Sequence, residues 1–140
     1  TTGIASGIAT AIHMIAENNI SGRRLTVDVS GDGIENSTGA VHPSFAKSVP
    51  HVRNVDEARE VARSLGITVN GLAILTEVAD LDRWYHTHVR SGPGSFVMAA
   101  RTYEDFANAM LEKLLREIGT GPNLTDLRHP VELNANPSLN

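Results

Sequence analysis

The chain has 140 residues, of which 41% are hydrophobic and 20% are charged, and this composition predicts one compact domain rather than a disordered chain. The 16 Asp and Glu residues outnumber the 12 Lys and Arg residues, and the net charge of −4 argues against nucleic acid or an anionic membrane as a partner. The sequence contains no cysteine, which excludes disulfides, thiolate nucleophiles and cysteine-ligated metals. No apolar run approaches the roughly 18 residues that a membrane span requires.

The first predicted element is an amphipathic helix that starts at Thr2 and ends at Asn18. Its large apolar residues recur at three- and four-residue spacing, namely Ile4, Ile8, Ile12 and Ile15. Residues 25–29 predict a short strand, and the sequence SGDG at residues 30–33 predicts a turn that closes it. Residues 34–54 show no sustained periodicity and are predicted to be a long connection.

The second half alternates between helices and strands. A helix is predicted to begin near Asp56, with Asn54 as the competing N-cap, and to end at Gly66. A strand over 67–75, a short helix over 81–89, a strand over 95–100 and a helix over 103–118 are predicted to follow. The side chains expected to face the sheet from the last helix are Phe106, Met110, Leu114 and Ile118. The packing of the short helix onto the sheet is assigned to Trp84 and Tyr85.

This alternation predicts an α/β fold with three layers and a mostly parallel central sheet. We expect the domain to cover residues 1–119 and a C-terminal tail to cover 120–140. Ligands of an open parallel sheet bind beyond the carboxyl ends of its strands. Asp32 follows such an end, between two glycines, and a carboxylate beside neighbouring hydroxyls suits a hard cation such as Mg²⁺. The alternative that Asp32 and Gly33 form an ordinary turn stays open.

Several short strings, in this order and spacing, resemble the von Willebrand factor type A (vWA) domain. They are TGIASGI at 2–8, VDVSGDG at 27–33, GITVNGLAIL at 66–75, GPGSFVMAA at 92–100 and YEDFANAMLEKLLREI at 103–118. The likeness is closest to a bacterial family of such domains whose function is uncharacterised. The resemblance implies a Rossmann-like vWA fold and a metal-ion-dependent adhesion site built from three loops.

The resemblance assigns Thr2 to the second of these loops, with Thr1 as the fallback, and Asp32 to the third. Asp28 and Ser30 are weaker candidates that could support the site from the same strand. For Asp28 the competing interpretation is burial against a helix N-terminus. The implied activity is binding, not catalysis: Mg²⁺ or Mn²⁺ held by loop oxygens would bridge to a carboxylate of a protein partner.

The family's first strand, with its D-x-S-x-S motif, lies upstream of the threonine in complete domains. We therefore expect these residues to be the later part of a longer polypeptide, with the missing N-terminal part of the domain as their partner. Alone, the chain should fold poorly or associate through its exposed sheet. The resemblance implies a periplasmic or extracellular location. The alternative function is a hydrolase whose N-terminal threonine, Thr1, is the nucleophile.

Overall fold

The computed structural model describes residues 2–37 and 52–119. The elements in these residues are α1 (Ile4–Glu17), β1 (Leu25–Gly31), α2 (Val55–Ser64), β2 (Ile67–Ile74), α3 (Leu81–His88), β3 (Val97–Ala100) and α4 (Tyr103–Gly119). The strands lie in the order β1-β2-β3, and both pairs are parallel. The predicted α/β architecture and the order of its elements are confirmed. Most of the predicted long connection and the predicted tail lie outside the described residues.

One face of the sheet carries the larger core, packed under α1, α2 and α3. The predicted isoleucine stripe of α1 is confirmed, since Ile4, Ile8 and Ile12 are buried and Ile15 is partly buried. Odd-numbered residues of β1 and β2 point to this face because side chains alternate along a strand. None of the described helices has the length and apolar composition to cross a bilayer.

The opposite face is covered by α4 over β2 and β3. Its smaller core contains Leu72, Ala100 and Ala109, with Met98, Phe106 and Met110 packed around them. On β1 the residues of this face are polar and exposed, namely Thr26, Asp28 and Ser30. Within the described residues, the two faces of the sheet are therefore covered unequally.

Tyr85 of α3 lies across the sheet in a gap left by two glycines. The side chain is fully buried. A Cβ atom added to Gly71 would lie 2.8 Å from the Tyr85 Cδ1 atom, and one added to Gly31 would lie 2.7 Å from its Oη atom. Both distances are shorter than a real contact allows, so the ring can occupy this place only because neither strand residue has a side chain. The predicted role of Tyr85 in packing α3 onto the sheet agrees with this arrangement.

The predicted sheet-facing stripe of α4 is correct for Phe106 and Met110 and wrong for Leu114 and Ile118. Leu114 is 44% exposed and Ile118 is 60% exposed. A four-residue step overshoots one helical turn by about 40°, so a strict four-residue stripe winds away from the sheet after two steps. The face that stays on the sheet alternates steps of three and four and continues from Met110 to the buried Lys113.

The N-cap of α2 is not Asp56, the residue favoured by the sequence analysis. Asn54 is the N-cap, because its side-chain oxygen accepts a hydrogen bond from the Glu57 N–H at 2.9 Å. Asp56 instead lies in the first turn, where its charge suits the helix dipole. The competing assignment to Asn54 is the correct one.

The contact between Gly31 and Tyr85 can be tested by a rescue experiment. Gly31→Ala should lower the free energy of unfolding by about 1–3 kcal/mol, since the new methyl group meets the Tyr85 hydroxyl. Tyr85→Phe removes that oxygen, so the double variant should regain most of the loss in urea unfolding. An equal loss from Gly31→Ala in both backgrounds would show that the two side chains do not compete for space.

The two halves of the α4 stripe should respond differently to truncation. Phe106→Ala should lower the free energy of unfolding by about 2–3 kcal/mol, because it removes a ring packed against the small core of Leu72, Ala100 and Ala109. Leu114→Ala should change it by no more than about 0.5 kcal/mol, as expected for an exposed position. Equal losses for both variants in thermal or urea unfolding would contradict the observed orientation of α4.

Candidate functional site

The turn after β1 meets the start of α1. A Cβ atom added to Gly33 would lie 3.1 Å from the Thr2 Oγ1 atom, so the threonine hydroxyl rests against the backbone of this turn. Asp32 is the half-buried residue immediately before Gly33. The structure thus brings the loops of Thr2 and Asp32, which are far apart in sequence, to the carboxyl end of β1.

The segment after this turn is tied to the start of α1 by four hydrogen bonds, and a fifth bond lies within the segment. The Thr2 N–H donates to Asn36 Oδ1 at 2.6 Å. The Thr2 carbonyl accepts from the N–H groups of Asn36 and Ser37, each at 3.2 Å. Glu35 Oε2 accepts from the Ala5 N–H at 2.8 Å, and its Oε1 accepts from the Ser37 N–H at 3.1 Å. These bonds hold Thr2 against the segment that follows Asp32 along the chain.

Glu35 serves as the cap that α1 lacks locally. The N-cap residue, Gly3, makes no side-chain capping bond, and the first turn of α1 carries no acidic residue. A carboxylate on the free Ala5 N–H satisfies one of the unpaired donors and suits the positive end of the helix dipole. The sequence analysis missed Glu35 and Asn36. A helix that opens without its own cap was the signal that another segment supplies one.

Asp28 is held by α4 and not by a helix N-terminus. Its Oδ1 atom accepts hydrogen bonds from Lys113 Nζ at 2.6 Å and Asn70 Nδ2 at 3.3 Å. The Lys113 side chain is 1% exposed, whereas that of Asp28 is 36% exposed. Asn70 is itself fixed, since its Oδ1 accepts from the Phe96 N–H at 3.2 Å. Ser30 lies exposed two residues along the same face, nearer to the turn.

The hydroxyl of Tyr85 reaches this end of β1 from below the sheet. Among the described residues its oxygen is buried and has no hydrogen-bond partner. Burial, together with the negative charge of Asp32, raises the pKa of the Tyr85 hydroxyl to about 12. The group therefore stays protonated, and able to donate a hydrogen bond, at neutral pH.

The donors gathered here are of the class that Mg²⁺ and Mn²⁺ prefer, namely a hydroxyl from Thr2 and a carboxylate from Asp32. Over residues 2–37 and 52–119, no three His, Asp or Glu side chains lie close enough together to hold a metal ion by themselves. An octahedral shell at this place would need further ligands from water or from other residues. Thr1, the fallback ligand and the alternative nucleophile, lies outside the described residues.

The cap supplied by Glu35 can be tested by truncation. Glu35→Ala should lower the free energy of unfolding by about 1–2 kcal/mol, because the Ala5 N–H loses its acceptor and the turn loses its anchor. Glu35→Gln keeps one acceptor oxygen and should cost less, whereas Glu112→Gln on the exposed side of α4 should have no effect in urea unfolding. Equal stability of Glu35→Ala and the wild type would show that the segment is not held by this carboxylate.

The chain was also compared with known proteins. A family described as "Protein of unknown function (DUF1194)" matches residues 1–122. No curated protein and no solved structure matches the chain. Because the family match covers well over half of the sequence, the chain belongs to the DUF1194 family.

Proposed function

We propose that this chain is a metal-ion-dependent, adhesion-type binding module of the vWA kind and not an enzyme. The observation that carries the proposal is the meeting of Thr2 with the turn that contains Asp32. These two positions are the ones that the vWA resemblance assigns to the second and third loops of an adhesion site. The parallel sheet and the membership of the DUF1194 family are compatible with that resemblance.

In this proposal Thr2 and Asp32 hold the cation through their hydroxyl and carboxylate oxygens. The hydrogen bonds that Asn36 and Glu35 accept hold the two loops next to each other before a ligand binds. Asp28 does not contact the cation directly, because its carboxylate is already paired with the Lys113 ammonium. Bound Mg²⁺ or Mn²⁺ would supply an open coordination position that a carboxylate of a protein partner completes.

The site and the sheet are completed, in our proposal, by the N-terminal part of the same domain. Within the described residues, β1 pairs only with β2, so its other edge presents unpaired main-chain groups. A cleft of about 330 Å³ runs between this edge and α1, and its lining includes Thr2, Gly7 and Ser30. A further strand in this cleft would pair with β1 and would end beside Thr2 and Asp32. The vWA resemblance also makes a periplasmic or extracellular location part of the proposal.

Metal binding is tested by calorimetric titration of Mn²⁺ and Mg²⁺ into the natural protein and its Asp32→Asn variant. The variant should bind Mn²⁺ at least about tenfold more weakly, because it loses the carboxylate expected to contact the cation. Thr2→Val should also weaken binding, whereas Thr2→Ser keeps the hydroxyl and should largely preserve it.

The matched control is Glu112→Gln, which removes the same unit of charge from an exposed position on α4. It should leave the affinity for Mn²⁺ unchanged. Unaltered affinity in a correctly folded Asp32→Asn variant would remove the assignment of this edge as an adhesion site.

A further inference from the structure

The burial of the Tyr85 hydroxyl is not explained by any hydrogen bond to the described residues. The ring packs against Gly71, whereas the hydroxyl lies against Gly31, where phenylalanine would place no oxygen. Among the described residues the Tyr85 oxygen makes no hydrogen bond, although the side chain is fully buried. A buried polar group without a partner destabilises a fold by about 1–3 kcal/mol, so such a group in a native structure calls for an explanation.

The place of this oxygen supplies the explanation. Gly31 is the last residue of β1 and precedes Asp32, and the Tyr85 oxygen lies where a Gly31 side chain would begin. Burial and, to a smaller extent, the negative charge of Asp32 raise the pKa of this hydroxyl. The hydroxyl is thus a buried donor that lies against the residue immediately before Asp32, on which the proposed site depends.

We propose that Tyr85 is a positioning residue, whose hydroxyl donates a hydrogen bond to the Asp32 carboxylate when the cation site is assembled. This assignment rests on the proposed function. Asp32 would then present one oxygen to the cation while Tyr85 holds the other. Hydrogen bonds of this kind orient a ligating carboxylate, and their loss typically weakens metal binding by about 10–100-fold.

Loss of the Tyr85 hydroxyl should affect the affinity for Mn²⁺ but not the stability of the metal-free protein. Tyr85→Phe keeps the ring packing and removes an oxygen that has no partner without metal. The metal-free variant should therefore unfold in urea at the same midpoint as the wild type or at a higher one. Its affinity for Mn²⁺ should nevertheless fall by about tenfold or more.

The experiment is a calorimetric titration of Mn²⁺ into the natural protein and its Tyr85→Phe and Thr87→Val variants, with metal-free urea unfolding of each. Thr87 is exposed on the same helix, and its hydroxyl donates to the Arg83 carbonyl, so Thr87→Val is a matched loss of a hydroxyl away from Asp32. Weaker binding in Tyr85→Phe alone, with unimpaired metal-free stability, is the expected result.

The other outcomes overturn the inference in distinguishable ways. Equal Mn²⁺ affinity in the wild type and Tyr85→Phe would reject the role of Tyr85 while leaving the cation site in place. A metal-free Tyr85→Phe variant that unfolds at lower urea would make the hydroxyl a structural group. Absence of Mn²⁺ binding by the wild type would reject both this assignment and the proposed function.

Discussion

A tyrosine ring set between two glycines determines how α3 lies across the sheet. Gly71 in β2 and Gly31 at the end of β1 leave a continuous hollow, and Tyr85 fills it completely. Because interiors are packed at crystal-like density, a side chain at position 71 would meet the ring and one at position 31 would meet the hydroxyl. The same packing places the Tyr85 hydroxyl at the end of β1, so the side chain that anchors α3 also lies near the candidate site.

The candidate site depends on a second constraint, which is polar. The turn after β1 and the start of α1 each have backbone groups that their own segment cannot satisfy. Glu35 and Asn36 satisfy the groups of α1, and the Thr2 carbonyl accepts from the segment after the turn. Reciprocal bonds of this kind order both loops together. The arrangement of the two loops therefore depends on hydrogen bonds within the chain itself.

The two faces of the sheet differ in the polarity of the contacts that cover them. The face under α1, α2 and α3 is a conventional apolar core. The face under α4 mixes a small apolar core with the pair formed by Lys113 and Asp28, in which a buried ammonium reaches a partly exposed carboxylate. The net stabilisation from such a pair is small, because the desolvation of Lys113 opposes the attraction. Asp28 is thereby drawn toward the helix rather than toward the turn.

The sequence by itself determined the order of the elements, the parallel α/β class and the placing of Asp32 at a strand end, because these follow from local periodicity and glycine-flanked turns. It could not determine which face of α4 meets the sheet, since a four-residue repeat is compatible with two different stripes around Met110. Nor could it find Glu35, whose role as a cap arises from a contact across 30 residues of chain. The position of the Tyr85 hydroxyl against Gly31, the residue before Asp32, was likewise decided only by tertiary packing, because it depends on glycines in two different strands lying beneath one side chain.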